Sequence, residues 1–402
     1  MNKRNKIKIL FVIESLSLAG SEKSLIALLS NLDSEIYDID LQLFSYGGEL
    51  ENLIPDYVRL LSPLPYNEFA KKSLIQNLTS FKIRYVWAKL TYTIGLRVGK
   101  RNVSDTAKLY WGSVQKAFTI SDKEYDIAIA YAQGVPTYYV IDKIKAQKKI
   151  TWVNANLQLT KRSLSFEKKY YNQFDYIVPV SRINRQHIAK ILPFLTEKLW
   201  LIPDMLDVSS IYKMADMFQA DFKKNTFKIL TVSRLEKGMK GLDITIEACR
   251  LLKESGIDFH WYIIGKGSFQ SEMQEFIKSN KLAGCLTLLG TTANPYPYFK
   301  AADLYVQTSR SESYGISIAE ARLLNTPVVT TRFDTVYNQM VHGKNGLVTD
   351  MNPEAVVCGI IKMMQDKELY HSIVNYLRKE PKESSETIKR FDSMISKLIA
   401  SN

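Results

Sequence analysis

The sequence predicts an α/β protein of two consecutive domains, each built on a parallel sheet, and three observations carry that prediction. Short apolar runs alternate with helical patterns through both halves of the chain. Its 402 residues are enough for two buried cores. The composition, 46% hydrophobic and 24% charged, is that of ordinary soluble globular domains. No apolar run approaches the length needed to span a bilayer, and no internal repeat or low-complexity tract interrupts the alternation.

In the first half the strand-like runs are residues 6–13, 38–44, 126–131, 149–153, 176–180 and 200–202. The first of them follows a basic start and leads to small residues near position 20, which mimics a secretion signal. Glu14 interrupts the apolar stretch, however, and Ile7, Ile9, Phe11 and Ile13 read as a buried strand, so the chain is expected to be cytoplasmic. In the second half the runs are 227–232, 261–264, 286–289, 304–307, 327–330 and 346–348. Six strands in each half give two Rossmann-like sheets. The expected domains are 1–203 and 204–383, with the polar stretch 204–225 as an irregular hinge. Residues 384–399 have helical spacing and are expected to return onto the first domain. Cys249, Cys285 and Cys358 lack metal-ligand spacing and read as buried thiols of a reducing compartment.

The net charge of +13 is unevenly spread. Residues 1–203 hold 29 Lys and Arg against 18 Asp and Glu, whereas 204–402 hold 25 against 23. The first half therefore suits an anionic partner. No nucleic-acid motif is present, which leaves a membrane surface. Residues 81–101 interleave Lys82, Arg84, Lys89, Arg97, Lys100 and Arg101 with Phe81, Tyr85, Trp87, Tyr92 and Leu96. A helix lying among lipid headgroups and an amphipathic core helix fit this pattern equally well.

Open parallel sheets bind ligands beyond the carboxyl ends of their strands, so the loops there are the places to look for chemistry. After the first strand, Ala19-Gly20-Ser21-Glu22 opens a helix with small residues, and Gly20 lets a phosphate or sugar approach the backbone. After 227–232 come Arg234 and Lys240, two cations able to neutralise a diphosphate, although solvated surface charges would look the same. Gly290, Tyr296 and Tyr298 offer backbone and aromatic surface for a nucleobase, or simple packing. After 304–307, Glu312 and Glu320 bracket Ser313, Tyr314, Gly315 and Ile316, whose amides at a helix start form an anion seat between two hydroxyl-gripping acids. A phosphorylated sugar suits that layout.

Together these residues resemble glycosyltransferase family 4, the retaining nucleotide-sugar transferases of GT-B architecture, whose two Rossmann-like domains face each other across a cleft. Glu312 and Glu320 match its E-x7-E signature. Ser233-Arg234-Leu235 with Lys240-Gly241 matches its G-R-L-x3-K-G loop with one extra residue, and Ala19-Gly20-Ser21-Glu22 matches its G-G-x-E pattern without the first glycine. The likeness runs from Lys6 to about Asp366.

The resemblance implies a donor, foremost a UDP-sugar, held by the second domain, and a saccharide or lipid-linked saccharide acceptor held mainly by the first. Arg234, Lys240 and the amides at 314–316 would stabilise the leaving diphosphate without a metal or other cofactor. Glu320 would grip the ribose, and Glu312 would contact the donor sugar near its reacting carbon. The setting implied is polysaccharide or glycolipid synthesis, capsule included, with the protein cytoplasmic or peripheral on the inner face of the membrane.

Two departures stand out. Asn154 occupies the acceptor-side place where many family members have His, and Asn is no base at neutral pH. Asp38 and Asp40 spell the D-x-D of metal-dependent transferases, but they lie in an alternating strand pattern and read as structural. A catalytically silent partner subunit and a sugar-nucleotide epimerase remain as alternatives, since fold alone does not choose among functions.

Overall fold

A computed structural model of the chain describes residues 6–71, 83–97, 102–155, 157, 159–223, 225–382 and 385–400. It divides into two compact units, residues 1–205 with 385–402, and residues 206–384. Phe81, Lys82, Lys100 and Arg101 of the basic aromatic segment lie outside the described residues.

The first unit holds a six-stranded parallel sheet of β1 (Ile7–Ile13), β2 (Tyr37–Leu43), β3 (Val58–Leu60), β4 (Glu124–Ala130), β5 (Lys145–Val153) and β6 (Tyr176–Pro179), in the order β3-β2-β1-β4-β5-β6. Both faces are covered, so successive residues of β1 enter different cores. Ile9, Phe11 and Ile13 meet Phe391, Met394, Ile395 and Leu398 of the helix Ser385–Ala400. Leu10 and Val12 meet Trp111, Phe118 and Tyr139 on the other side. Tyr37 Oη also donates to Asp392 at 2.7 Å, fixing the last helix against β2.

Two elements of this unit depart from the sequence reading. The sixth strand is β3, three residues too short to show a period. Residues 200–202 form no strand. The amides of Trp200 and Ile202 donate to the carbonyls of Ile177 and Pro179 at 2.9 and 3.2 Å. Pro179 has no N–H to return, so pairing stops at the single Ile177–Leu199 bridge.

The second unit repeats the design with β7 (Phe227–Val232), β8 (Phe259–Ile264), β9 (Leu286–Gly290), β10 (Leu304–Gln307), β11 (Val328–Thr331) and β12 (Gly346–Thr349), ordered β12-β11-β10-β7-β8-β9 and all parallel. The stretch read as an irregular hinge contains a helix, Val208–Ala215, whose N-cap Asp207 accepts from the Ser210 amide at 3.1 Å. Val208, Ile211 and Ala215 carry the helical spacing that its polar flanks obscured. Of the three cysteines only Cys249 is buried; Cys285 is half-buried and Cys358 exposed, contrary to the reading of all three as core thiols.

Candidate active site

In each sheet the chain runs outward in both directions from a central pair, β1 with β4 and β7 with β10. At such a reversal the loops that leave the two carboxyl ends diverge and open a crevice. In the second unit those loops are 233–241 after β7 and 308–315 after β10, which carry the predicted charges.

Lys240 Nζ lies 2.7 Å from Glu312 Oε1, with both side chains largely shielded. Glu312 Oε1 also accepts from Gln307 Nε2 at 3.1 Å and from Ser309 Oγ at 2.7 Å. Gln307 is in turn fixed by Tyr305 Oη, which donates to its Oε1 at 2.9 Å. The glutamate is therefore held by three donors from two loops and a strand end, and its orientation is set before any ligand arrives.

The close approach of the two loops depends on Gly241. Its φ is +61°, and a Cβ there would sit 1.9 Å from the Thr308 carbonyl oxygen. Arg310 clamps the same loop, with Nη1 and Nη2 on the Asp243 carboxylate at 2.7 and 2.6 Å and Nη1 also on the Gly238 carbonyl at 3.0 Å. That guanidinium holds the Asp243 carboxyl below its ordinary range. Gln307, Ser309 and Arg310 were not singled out in the sequence. A polar residue closing the apolar strand Leu304–Gln307 was the available signal.

Gly315 is the N-cap of the helix Ile316–Leu323, with φ +83°. Ile318 and Ala319 donate to its carbonyl, so the amides of Ile316 and Ser317 precede the first intrahelical bonds. Gln339 Nε2 donates to the carbonyls of Tyr314 and, at 3.0 Å, Gly315, which fixes the turn holding Ser313 and Tyr314. Glu320 points inward from this helix. It is fully buried, and Oε1 accepts from Tyr296 Oη at 3.1 Å. Burial and the neighbouring Glu320 charge push the Tyr296 hydroxyl well above its ordinary range.

Other predicted residues are held by contacts of their own. Arg234 is exposed and its Nη1 is 3.3 Å from Glu236. Its loop does rest against the next one, since a Cβ on Gly265 would fall 1.8 Å from the Ser233 carbonyl oxygen. Gly290 continues that rim, accepting from the Gly265 amide at 2.7 Å, with open space before its α-carbon. Tyr298 packs edge-on against Phe218 and Phe222 at 5.8 and 5.5 Å.

In the first unit Gly20 begins the helix Gly20–Asn31 after β1. Asn154, after β5, donates through Nδ2 to the Tyr131 carbonyl at 2.7 Å and through its amide to Gln133 Oε1 at 2.9 Å. Its Oδ1 is buried and accepts no hydrogen bond among the described residues. Nearby, Ser24 Oγ is 3.1 Å from Tyr131 Oη and accepts from the Met205 amide at 2.9 Å. Burial pushes the Asp204 carboxyl beside Ser24 up to about 7, and burial with the Glu22 charge raises Glu14. Ser24 and Met205 of this cluster are 181 residues apart, so nothing in the linear order of the residues points to it.

Asp38 and Asp40 lie in β2. Asp38 pairs with Arg59 at 2.7 Å and is held below its ordinary range by that contact. The fully buried Asp40 accepts from Arg59 Nε at 2.9 Å, from Tyr125 Oη at 2.7 Å and from Lys123.

Residues 213–380, nearly all of the second unit, match the family model of glycosyl transferases, group 1. The chain is similar to an uncharacterized glycosyltransferase of Methanocaldococcus jannaschii, 23% identical over 247 residues that cover 53% of this chain and 61% of that protein. It is also similar to a D-inositol 3-phosphate glycosyltransferase of Pseudarthrobacter chlorophenolicus, 30% identical over 131 residues, 31% of each chain. The chain thus spans less than two thirds of the length of these curated relatives. Among solved structures, Anabaena HepE in complex with UDP and glucose superposes with a TM-score of 0.69 at 19% identity, over 97% of this chain and 99% of that one. The two parallel six-stranded sheets are those of the GT-B glycosyltransferase fold.

Proposed function

We propose that this protein is a retaining, metal-independent glycosyltransferase of family 4. It moves a sugar from a nucleoside diphosphate donor, foremost a UDP-sugar, to a hydroxyl of a saccharide or lipid-linked saccharide in polysaccharide or glycolipid synthesis. The observation that carries the reading is the Lys240–Glu312 pair, its acid on the loop that leads into the helix start at Ile316 and Ser317, at the strand reversal within the residues that match the group 1 model. A cation and aligned N–H dipoles stabilise negative charge where a diphosphate leaves. The UDP named with the Anabaena structure supports the choice of nucleotide.

In the reaction the bond from the anomeric carbon to the diphosphate oxygen breaks, and a bond from that carbon to the acceptor oxygen forms on the same face. The acceptor's proton passes to the departing diphosphate oxygen, which accounts for the chemistry without a side-chain base at Asn154. Glu312, oriented by Gln307, Ser309 and Lys240, contacts the donor sugar, and Glu320 takes the ribose hydroxyls. Asn154 offers its buried Oδ1 to an acceptor hydroxyl.

The test is a panel of UDP-, GDP- and ADP-sugars screened for thermal stabilisation of the purified chain, followed by assignment of product anomers by NMR. A product of inverted configuration would overturn the retaining assignment. Binding without turnover on any acceptor would favour a silent subunit instead, and a changed sugar formed without acceptor would favour an epimerase.

A further inference from the structure

The helix Ile83–Leu96 turns an apolar face in two directions. Inward, Ala88 is buried, Tyr85 and Val86 pack against the core that includes Trp111, and Tyr92 meets Tyr110 edge-on at 5.1 Å. Gly95 permits the close crossing with the next helix, because a Cβ there would be 2.6 Å from Leu109. Outward, Ile83, Trp87, Leu90 and Ile94 follow one another at four- and three-residue steps and so form one stripe. They are 71, 64, 38 and 60% exposed. Four large apolar side chains aligned on a surface are not the scattered exposure that every protein shows.

We infer that this stripe is a docking surface for the headgroup region of an anionic lipid bilayer. Charge selects the occupant. Arg84 on this helix and Arg97 just past its end are exposed, Lys82, Lys100 and Arg101 flank it in sequence, and residues 1–203 carry 11 more cationic than anionic side chains. Anionic headgroups answer those cations, while a second copy of the chain would set like charges against each other. Trp87 amid Ile and Leu is suited to the boundary between headgroups and acyl chains. Among the described residues no helix is long and apolar enough to cross a membrane, so the helix would lie in the interface. This docking requires no sugar transfer, and its test uses none.

The experiment is co-sedimentation of the full chain with vesicles of phosphatidylcholine alone or mixed with phosphatidylglycerol, at low and high salt. The wild type is expected to bind the mixed vesicles in a salt-sensitive way. The double variant Trp87→Ser/Ile94→Ser should bind them about ten-fold or more weakly. Ile36→Ser, at an exposed apolar residue elsewhere in the unit, should change nothing. If the double variant misfolds by circular dichroism, Trp87→Phe replaces it. Brominated lipid should then quench the wild-type fluorescence and quench that variant far less, since Trp111, Trp152 and Trp261 are fully buried and Trp200 is half-buried against Tyr176 and Lys397. Equal binding by wild type and double variant, equal quenching of wild type and Trp87→Phe, or no binding to mixed vesicles would overturn the proposal. So would a dimer in sedimentation velocity that the double variant dissociates.

Discussion

Lys240 and Glu312, 72 positions apart in sequence, form a 2.7 Å ion pair across the two loops that leave β7 and β10. The pair joins the one largely shielded cation of the loop to the acid assigned to the donor sugar. Removing it should act mainly on the transition state, where diphosphate charge grows. Lys240→Ala is expected to lower kcat by roughly a hundred- to a thousand-fold with a smaller change in donor KM. Arg234→Ala, at an exposed side chain already paired with Glu236, should slow transfer much less. Steady-state kinetics on both variants checks the ranking; equal losses would place Arg234 beside Lys240 in the working enzyme.

Glu320 leads to a different expectation, because it is enclosed and Tyr296 Oη rests on it. Glu320→Gln should reduce the thermal stabilisation given by UDP while leaving the apo melting temperature within a few degrees. Tyr296→Phe removes one partner of a buried carboxylate and should cost roughly 1.5–3 kcal/mol of stability, read from denaturant melts. A Tyr296→Phe protein as stable as wild type would mean that the contact carries no weight in the fold.

How these sites relate to the sequence depends on the distance between their parts. All strand positions but β3 were legible because parallel strands buried on both faces leave continuous apolar runs. Glu312, Gly315 and Glu320 were legible because one strand-to-helix turn contains them all. The Arg310 clamp was not, since its partners Gly238 and Asp243 lie on the loop after β7 and in the first turn of the helix it enters, brought near only by the strand reversal. Ser24 and Asp204 were hidden for the same reason. Tyr298 shows the converse: its type and position suggested a ligand, but Phe218 and Phe222, from the stretch read as hinge, pack on it.

The D-x-D in β2 allows a direct test of metal use. Arg59 holds both acids, and Asp40 has Lys123 and Tyr125 besides. Chelator should leave sugar transfer unchanged. Asp40→Asn should lower stability by about 1–3 kcal/mol, since it weakens the hydrogen bonds at a buried position while Arg59 and Lys123 remain half exposed to water, without altering the metal response. Strict manganese dependence abolished by Asp38→Asn would reverse this assignment.

Asp204 supplies a pH signature. Burial raises its folded-state value from 3.8 to about 7, so the folded protein favours the neutral carboxyl. The stability that goes with the bound proton is fully present below the unfolded value. It is lost as pH rises from there through about 7. Asp204→Asn keeps the shape and removes the titration. Its melting temperature should therefore match wild type near pH 4 and exceed it by several degrees near pH 8, because only the wild type must then bury a charge. Other titrating groups cancel in the difference between the two proteins. A difference that stays constant across this range would show that the Asp204 carboxyl keeps its charge beside Ser24, in contact with water.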